Sequence, residues 1–127
     1  MILGIGVDIV YIPKISRMLQ KYRKKFLNKV YTDYEIKISK KYNSQEIRAK
    51  YFAKRFAAKE AFVKALGIGF SLGITMKDIE IYNDIKGKPY LTINNKNYIL
   101  ENHIIIHLSL SDDRDYATAF VVIYKKI

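Results

Sequence analysis

The fold is decided by the stretch Phe52-Ala53-Lys54-Arg55-Phe56-Ala57-Ala58-Lys59-Glu60-Ala61-Phe62-Val63-Lys64-Ala65-Leu66-Gly67. It is rich in alanine and holds no helix breaker before Gly67, so it predicts a long helix that ends there. Glu60 and Lys64 stand one turn apart and can point together at a ligand, although a surface ion pair is the simpler interpretation of these two residues alone. Lys59 falls among the apolar positions, where a lysine must be paired or must reach solvent. The apolar positions that share one face of this helix are Phe52, Phe56, Val63 and Leu66.

The composition of the whole chain limits the class of protein. With 127 residues, half of them apolar, the chain suits one domain that spans residues 1–127. The absence of cysteine excludes disulfides and thiolate metal sites. No apolar run is long enough to cross a membrane and none resembles a signal peptide, so we expect a cytoplasmic protein with no membrane partner. The formal charge of +11 attracts phosphates and acidic proteins.

The first residues, 1–10, alternate as a strand. One face of this strand carries Gly4, Gly6 and Asp8. Because glycine weakens a strand, two glycines on one face indicate that a ligand or another backbone comes close. A plain packing contact, with Asp8 as a helix cap at the strand end, explains the same pattern. The opposite face is apolar and consists of Leu3, Ile5, Val7 and Ile9.

A second helix is predicted from Pro13, a residue favoured at helix starts, to about Asn28. A row of cations lies beside its apolar stripe, close to Met18. Such a face is either solvated or a docking face for an acidic partner, with Met18 and Phe26 as apolar anchors. The cations are Lys14, Arg17, Lys21 and Lys25, and the inner stripe comprises Ile15, Leu19, Tyr22 and Phe26.

Three shorter segments connect these elements. Thr32 and Glu35 have the spacing of a capping box that opens a short helix, and Ser44 is the expected start of the central helix. The glycine-rich residues 67–73 follow a helix rather than precede one, which excludes a phosphate-binding P-loop. Residues 98–100 predict a short helical turn.

Two β-hairpins complete the predicted fold. With the first strand they predict an α+β protein, in which one antiparallel sheet, built from both chain ends and the middle, packs on the long central helix. The predicted hairpin strands are residues 78–82 with 90–93, and 103–111 with 116–124.

The residues suited to chemistry are few. Asp8 and Glu60 lie on separate elements, and Lys64 follows Glu60 by one helical turn. One or two carboxylates, completed by water and substrate phosphates, are the usual ligands of Mg²⁺. A lysine beside such a metal fits a phosphate ligand or a proton carrier. His107 alone is more simply a packed histidine than a catalytic one.

Four motifs, in order and at fitting spacings, resemble the holo-[acyl-carrier-protein] synthase family, the short phosphopantetheinyl transferases of fatty acid synthesis. The resemblance runs through nearly the whole chain, and it implies the 4'-phosphopantetheinyl transferase-like fold. The Lys-Glu-Ala-x-x-Lys core with an upstream Gly-x-Asp is specific for the superfamily. The motifs are Gly4-Ile5-Gly6-Val7-Asp8-Ile9-Val10, the helical residues 55–67, Gly87-Lys88-Pro89, and Ser109-Leu110-Ser111 followed by Asp115-Tyr116-Ala117.

The resemblance implies a reaction and roles for residues. The serine hydroxyl of apo acyl carrier protein attacks the β-phosphate of coenzyme A, with Mg²⁺ bound, and adenosine 3',5'-bisphosphate is released. Asp8 and Glu60 match the metal-binding carboxylates, and Lys64 matches the lysine near the phosphates. The general base is a carboxylate, a metal-bound water or Lys64. The residues expected to bind coenzyme A, the co-substrate, are Arg48 (for the 3'-phosphate), Arg55, Lys59, Lys64, Gly67, Gly69, Gly87, Lys88 and Pro89.

The resemblance also implies partners. Family members form homotrimers with each site between two subunits, and the first helix docks the acidic carrier protein. The cations of the first helix named above, with Met18 and Phe26, suit that task. One departure is Asp112, which stands where the family usually has a histidine; Arg114 is a candidate to compensate.

Two other functions fit the composition. A small basic RNA-binding module would use the charge and the 11 tyrosines, but the lysines are spread widely and no RNA-binding motif is recognisable. A scaffold for acidic proteins would leave Asp8 and Glu60 without a role. We therefore expect an enzyme that has no nucleic-acid partner.

Overall fold

The computed structural model describes residues 1–67, 73–95 and 102–127. One strand is followed by three helices and then by four strands, a segregated order typical of an α+β fold, as predicted. Among the described helices, none has the length and apolarity needed to span a membrane. The predicted helical turn at 98–100 lies outside the described residues. The elements are β1 (Ile2–Tyr11), α1 (Ile12–Val30), α2 (Asp33–Ser39), α3 (Gln45–Leu66), a 3-10 turn (Met76–Asp78), β2 (Ile79–Asn83), β3 (Pro89–Ile93), β4 (Ile104–Asp113) and β5 (Tyr116–Lys125).

The strands in the described part of the chain form two antiparallel sheets rather than the single sheet predicted. β5 lies in the centre of the larger sheet, with the order β1-β5-β4, so the two chain ends pair with each other. β2 and β3 form a separate hairpin. β3 contacts β4, but the described residues of these two strands form no shared ladder of hydrogen bonds. The β2–β3 hairpin therefore remains a separate sheet. Both hairpins were predicted correctly, but the prediction that they share one sheet was wrong.

The central helix α3 has the predicted bounds. Ser44 caps its start by accepting a hydrogen bond from the backbone N–H of Ile47, and Gly67 ends it in the left-handed conformation at φ +77°. The prediction of one apolar stripe was too narrow, because α3 is buried on most of its circumference. Small side chains let the neighbouring elements approach; the buried alanines are Ala49, Ala53, Ala57, Ala58, Ala61 and Ala65.

β1 crosses α3 with its glycine face inward. A Cβ atom on Gly6 would stand 1.9 Å from the carbonyl oxygen of Ala61, and one on Gly4 would stand 2.0 Å from that of Ala65. No larger residue fits at either position without a backbone shift, since real Cβ atoms do not approach this closely. The predicted close approach is thus confirmed, and the partner is the backbone of α3. This contact carries Asp8, two residues along β1, to the side of α3.

The opposite face of β1 is exposed, although it is apolar. Ile5 and Val7 are each 60% exposed, and Ile9 is 63% exposed. The same outer face of the sheet continues across β5, where Phe120 pairs with Val7. An exposed apolar patch of this kind usually marks an interface.

Helix α1 follows its prediction except at Tyr22. Its backbone leaves helical geometry there, at φ −131° and ψ 37°, which turns the side chain outward to 45% exposure. Ile15, Leu19 and Phe26 are buried as predicted. The inner position assigned to Tyr22 was wrong because the sequence pattern assumes an unbroken helix.

Candidate functional site

Asp8 and Glu60 line one cavity of about 490 Å³ between β1, α1 and α3. We call it the carboxylate cavity. β1 brings Asp8 there because its side chain shares the inward face with Gly6, and Glu60 comes from α3. The cavity is also lined by Lys14, Met18, Phe26 and Phe56. The central expectation of the sequence, that two carboxylates from distant segments converge, is met by this geometry.

Lys64 links the two elements. Its ammonium donates a 3.0 Å hydrogen bond to Oδ1 of Asp8 and a 3.1 Å bond to the carbonyl oxygen of Val7. The side chain is 55% exposed and that of Asp8 is 16% exposed. A surface pair of this kind is weak and exchangeable. Lys64 can therefore leave Asp8 when a cation takes its place and can turn to a phosphate.

The electrostatics of Glu60 indicate a place for a cation. Partial burial raises the pKa of Glu60, and the nearby charge of Asp8 raises it further, while Lys64 acts in the opposite direction. Two carboxylates that repel each other in a partly buried site are stabilised by a shared cation. Asp8 and Glu60 therefore fit a divalent cation that takes its other ligands from water and phosphate oxygens. No group of three or more acidic or histidine side chains in the described part of the chain would hold a metal unaided.

Lys59 points away from this site, which overturns its expected role. Its side chain is fully buried, and its ammonium donates to Oε1 of Glu35 at 2.6 Å and to the carbonyl oxygen of Val30 at 2.7 Å. Burial lowers the pKa of Lys59, although the Glu35 carboxylate opposes this. The prediction that Lys59 contacts coenzyme A is wrong for this structure, and any ordering of the metal carboxylates by Lys59 acts through the packing of α3 rather than by direct contact. Adjacent helical residues lie about 100° apart, so Lys59 and Glu60 face different surroundings.

Glu35 is the buried residue that sequence analysis missed. Its capping box with Thr32 is confirmed, since both reciprocal hydrogen bonds are present. The same carboxylate also accepts from Lys59 and from the backbone N–H of Ile81, at 2.8 Å. A signal was available, because a lysine on an apolar stripe that does not reach solvent needs a buried partner.

A second cavity, of about 500 Å³, lies between α2, α3, the β2–β3 hairpin and the end of β4. We call it the arginine cavity, after Arg55. Arg55 is 6% exposed, its Nη2 donates to Oδ1 of Asn83, and its guanidinium lies 3.8 Å from the ring centre of Tyr51. Its buried Nε has no hydrogen-bond partner. Gly87 also lines this cavity. A fixed guanidinium with an unused donor suits a phosphate.

The other residues predicted to bind coenzyme A are dispersed. Arg48 lines a different cavity, between α1 and α3, and its guanidinium donates to the carbonyl oxygen of Tyr42. Lys88 is exposed beside the Tyr90 ring, at 5.5 Å. Gly67 is the C-terminal cap of α3. Gly69 lies outside the described residues, and Pro89 begins β3.

The predicted docking face lies next to the carboxylate cavity. Its four cations are exposed, Met18 is half-buried, and Lys14 and Met18 line the cavity itself. Phe26 is 7% exposed and packs edge-to-face on Tyr31, with ring centres 5.7 Å apart. Phe26 can therefore contact a partner through the cavities that it lines, the carboxylate cavity and a second one bordered by residues 73–77. Asp112, the departure noted in the sequence, forms an ion pair with Lys54 at 3.1 Å.

An α+β fold with convergent carboxylates, a nearby lysine and a separate phosphate-suited arginine fits a phosphate-handling protein. The family model that describes the 4'-phosphopantetheinyl transferase superfamily matches residues 4–121. The chain belongs to this superfamily.

Its relatives within the superfamily are similar over their full length. The chain is 74% identical over 123 residues to the holo-[acyl-carrier-protein] synthase of Wolbachia sp. subsp. Brugia malayi (strain TRS), with 97% of this chain and 96% of the relative covered. It is 52% identical over 127 residues to that of Ehrlichia chaffeensis (strain Arkansas), with 100% of both covered. The crystal structure of the Bacillus anthracis synthase in complex with CoA (3',5'-ADP) has a TM-score of 0.83 and 36% identity, with 99% of each chain covered. These likenesses confirm the predicted fold class.

Proposed function

We propose that this chain transfers the 4'-phosphopantetheine group of coenzyme A to a serine of apo acyl carrier protein in a Mg²⁺-dependent reaction. The serine hydroxyl gives its proton to a general base, its oxygen forms a bond to the β-phosphorus, the bond from that phosphorus to the bridging oxygen breaks, and adenosine 3',5'-bisphosphate leaves. The observation that carries the proposal is the convergence of Asp8 and Glu60 on one cavity. Superfamily membership and the likeness to holo-[acyl-carrier-protein] synthases support it.

Asp8 and Glu60 would hold the Mg²⁺ ion. Bound there, the ion would neutralise charge on the pyrophosphate and on the leaving phosphate. Lys64, now bonded to Asp8, has its ammonium within reach of the same region and is our choice for the phosphate-orienting residue. The chain's own contribution is thus to fix two carboxylates and one mobile cation around the reacting phosphate.

The remote end of coenzyme A is assigned to the arginine cavity, where Arg55 and Gly87 lie. Lys88 and Pro89 follow Gly87 at the same hairpin. Among the described residues, none lines both this cavity and the carboxylate cavity. One ligand that uses both would therefore fit a site completed by a neighbouring copy.

We propose a homotrimer as the assembly that meets this requirement. The exposed apolar face of the β1-β5-β4 sheet, with Ile5, Val7 and Phe120, supports such an interface. Sedimentation equilibrium is expected to give about three times the chain mass of 14.9 kDa. A Val7→Asp variant should dissociate and lose transfer activity, whereas a monomeric, active wild type would contradict the assembly.

The carrier protein would dock on the cationic face of α1, beside the carboxylate cavity. The alignment of Lys14 and Met18 with that cavity supports this placement, since the serine must reach the metal. Charge reversal at Arg17 or Lys21 should raise the KM for the carrier and leave the affinity for coenzyme A nearly unchanged. An equal loss of both would contradict a docking face.

The carrier-protein substrate also indicates the pathway and the cellular compartment of the reaction. We assign the reaction to fatty acid biosynthesis in the cytoplasm, carried out by one phosphopantetheinyl transferase domain over residues 1–127. These assignments rest on the carrier substrate and on the match over residues 4–121.

Mass spectrometry tests the function directly. Apo acyl carrier protein incubated with coenzyme A, Mg²⁺ and the wild-type chain should gain one phosphopantetheine group. Asp8→Ala and Glu60→Ala should abolish the gain, while Lys126→Ala, an exposed charge change at the chain end, should not. No gain with any carrier, together with salt-sensitive RNA affinity, would favour the basic binding module instead.

A further inference from the structure

An ion pair between Lys54 and Asp112 crosses the wall of the arginine cavity. The Nζ of Lys54, on α3, lies 3.1 Å from Oδ2 of Asp112, at the end of β4. The side chains are 29% and 27% exposed, and both residues line the cavity. Partly solvated pairs of this kind contribute little stability and exchange readily.

The lining of the same cavity has an excess of positive charge, because it holds four cationic side chains and two carboxylates, Asp84 and Asp112. Arg55 is nearly buried, and its Nε lacks a hydrogen-bond partner. Lys41 and Lys50 line the cavity as well. A phosphomonoester carries a charge of about −1.5 to −2 at pH 7, and it competes for a lysine more strongly than a single carboxylate does. An anion that enters beside Arg55 therefore meets Lys54 as the adjacent cation of α3.

We propose that Lys54 is a phosphate-binding residue that exchanges Asp112 for the 3'-phosphate of coenzyme A. This inference rests on the proposed function. Asp112 holds the ammonium at the cavity wall in the absence of ligand. When the phosphate binds, Lys54 leaves Asp112 and joins Arg55 on the phosphate oxygens. Asp112 thus lowers the affinity for the phosphate, and Lys54 raises it.

The exchange predicts opposite signs for the two single variants. Lys54→Ala should weaken the binding of adenosine 3',5'-bisphosphate by about tenfold, the size of one hydrogen bond to a charged group. Lys54→Arg should keep most of the affinity. Asp112→Asn should tighten the binding by about threefold, because it releases Lys54 and removes a negative charge from the wall. Adenosine 5'-monophosphate, which lacks the 3'-phosphate, should bind all variants alike.

Titration calorimetry with these two nucleotides tests the exchange. Lys126→Ala is the control, because it also removes one lysine charge, and urea unfolding checks that each variant is folded. If the ion pair only ties β4 to α3, both variants weaken both nucleotides in the same direction, and the exchange is overturned. Equal affinities of wild type and Lys54→Ala for the bisphosphate also overturn it. Transfer assays separate the two proposals, since a wild type that transfers nothing refutes the proposed function while the nucleotide affinities still decide the role of Lys54.

Discussion

Two lysine–carboxylate pairs on α3 differ in burial and therefore in use. Lys59 and Glu35 are both 0% exposed and 2.6 Å apart, whereas Lys64 is 55% exposed and lies 3.0 Å from Asp8. The buried pair has further partners in Val30 and Ile81, so its atoms are committed to the fold. The open pair borders a cavity, and its atoms are available to a ligand. Identical chemical groups are thus enclosed by the fold in one place and open to solvent in the other, where we propose that they bind a ligand.

The two charged residues of the Lys-Glu-Ala motif, Lys59 and Glu60, also differ in their surroundings. Lys59 holds α3 against Val30, at the end of α1, and Glu35 of α2, and Glu60 faces the carboxylate cavity. We infer that Lys59 fixes the rotation of α3, which sets the direction of Glu60. A buried structural lysine and a glutamate that lines a cavity are therefore consecutive in this sequence.

The largest expected effect is the loss of the buried pair. Lys59→Met should reduce the free energy of unfolding by about 3–5 kcal/mol, because it leaves the Glu35 carboxylate buried without its cation. Lys64→Met, the same change in the open pair, should cost at most about 1 kcal/mol. Urea unfolding of both variants at equal chain concentration measures the difference. Equal losses would remove the distinction between the two pairs.

A smaller effect is expected from the contact that holds Asp8 near Glu60. Gly6→Ala would place a Cβ atom 1.9 Å from the carbonyl oxygen of Ala61, so β1 must move. Overpacking of this kind costs about 1–3 kcal/mol, and a displacement of about 1 Å at a reacting site costs about a hundredfold in rate. The variant should fold and lose transfer activity in the mass assay. Full activity would mean that the spacing of β1 and α3 does not set the site.

The smallest effect concerns the pH dependence of the open site. Burial and Asp8 raise the pKa of Glu60, so between its ordinary and its raised pKa the folded chain holds a proton that the unfolded chain has lost. The free energy of unfolding contributed by Glu60 must therefore fall as pH rises through this interval, by about 0–1 kcal/mol at a site partly open to water.

Urea unfolding in EDTA, from about pH 4.3 upward, measures this contribution against Glu60→Gln, which cannot titrate. As pH rises, the free energy of unfolding of Glu60→Gln should increase relative to that of the wild type. Added Mg²⁺ should increase the free energy of unfolding of the wild type alone. A constant difference across the interval would show that Glu60 does not experience the repulsion.

The sequence predicted where helices and strands begin and end better than it predicted how these elements pack against each other. The caps Ser44 and Gly67 and the spacing of Thr32 and Glu35 fixed local structure, because those signals act within one turn. The outward turn of Tyr22 and the second sheet depend on contacts between distant segments. The residues Asp8 and Glu60 were found through a resemblance together with an unusual glycine face. Lys59 is buried and Glu60 lines a cavity because different elements pack around α3. The sequence of one helix does not reveal which elements these are.

The central claim is that Asp8 and Glu60 jointly hold one Mg²⁺ ion against the pyrophosphate of coenzyme A. Titration calorimetry of coenzyme A with and without Mg²⁺ tests it most directly, on wild type, Asp8→Asn, Glu60→Gln and the double variant. Mg²⁺ should tighten binding to the wild type by about tenfold or more and to none of the variants, and the double variant should be no weaker than either single one. Retained Mg²⁺-dependent tightening in the single variants, or losses that add in the double variant, would contradict a shared ion.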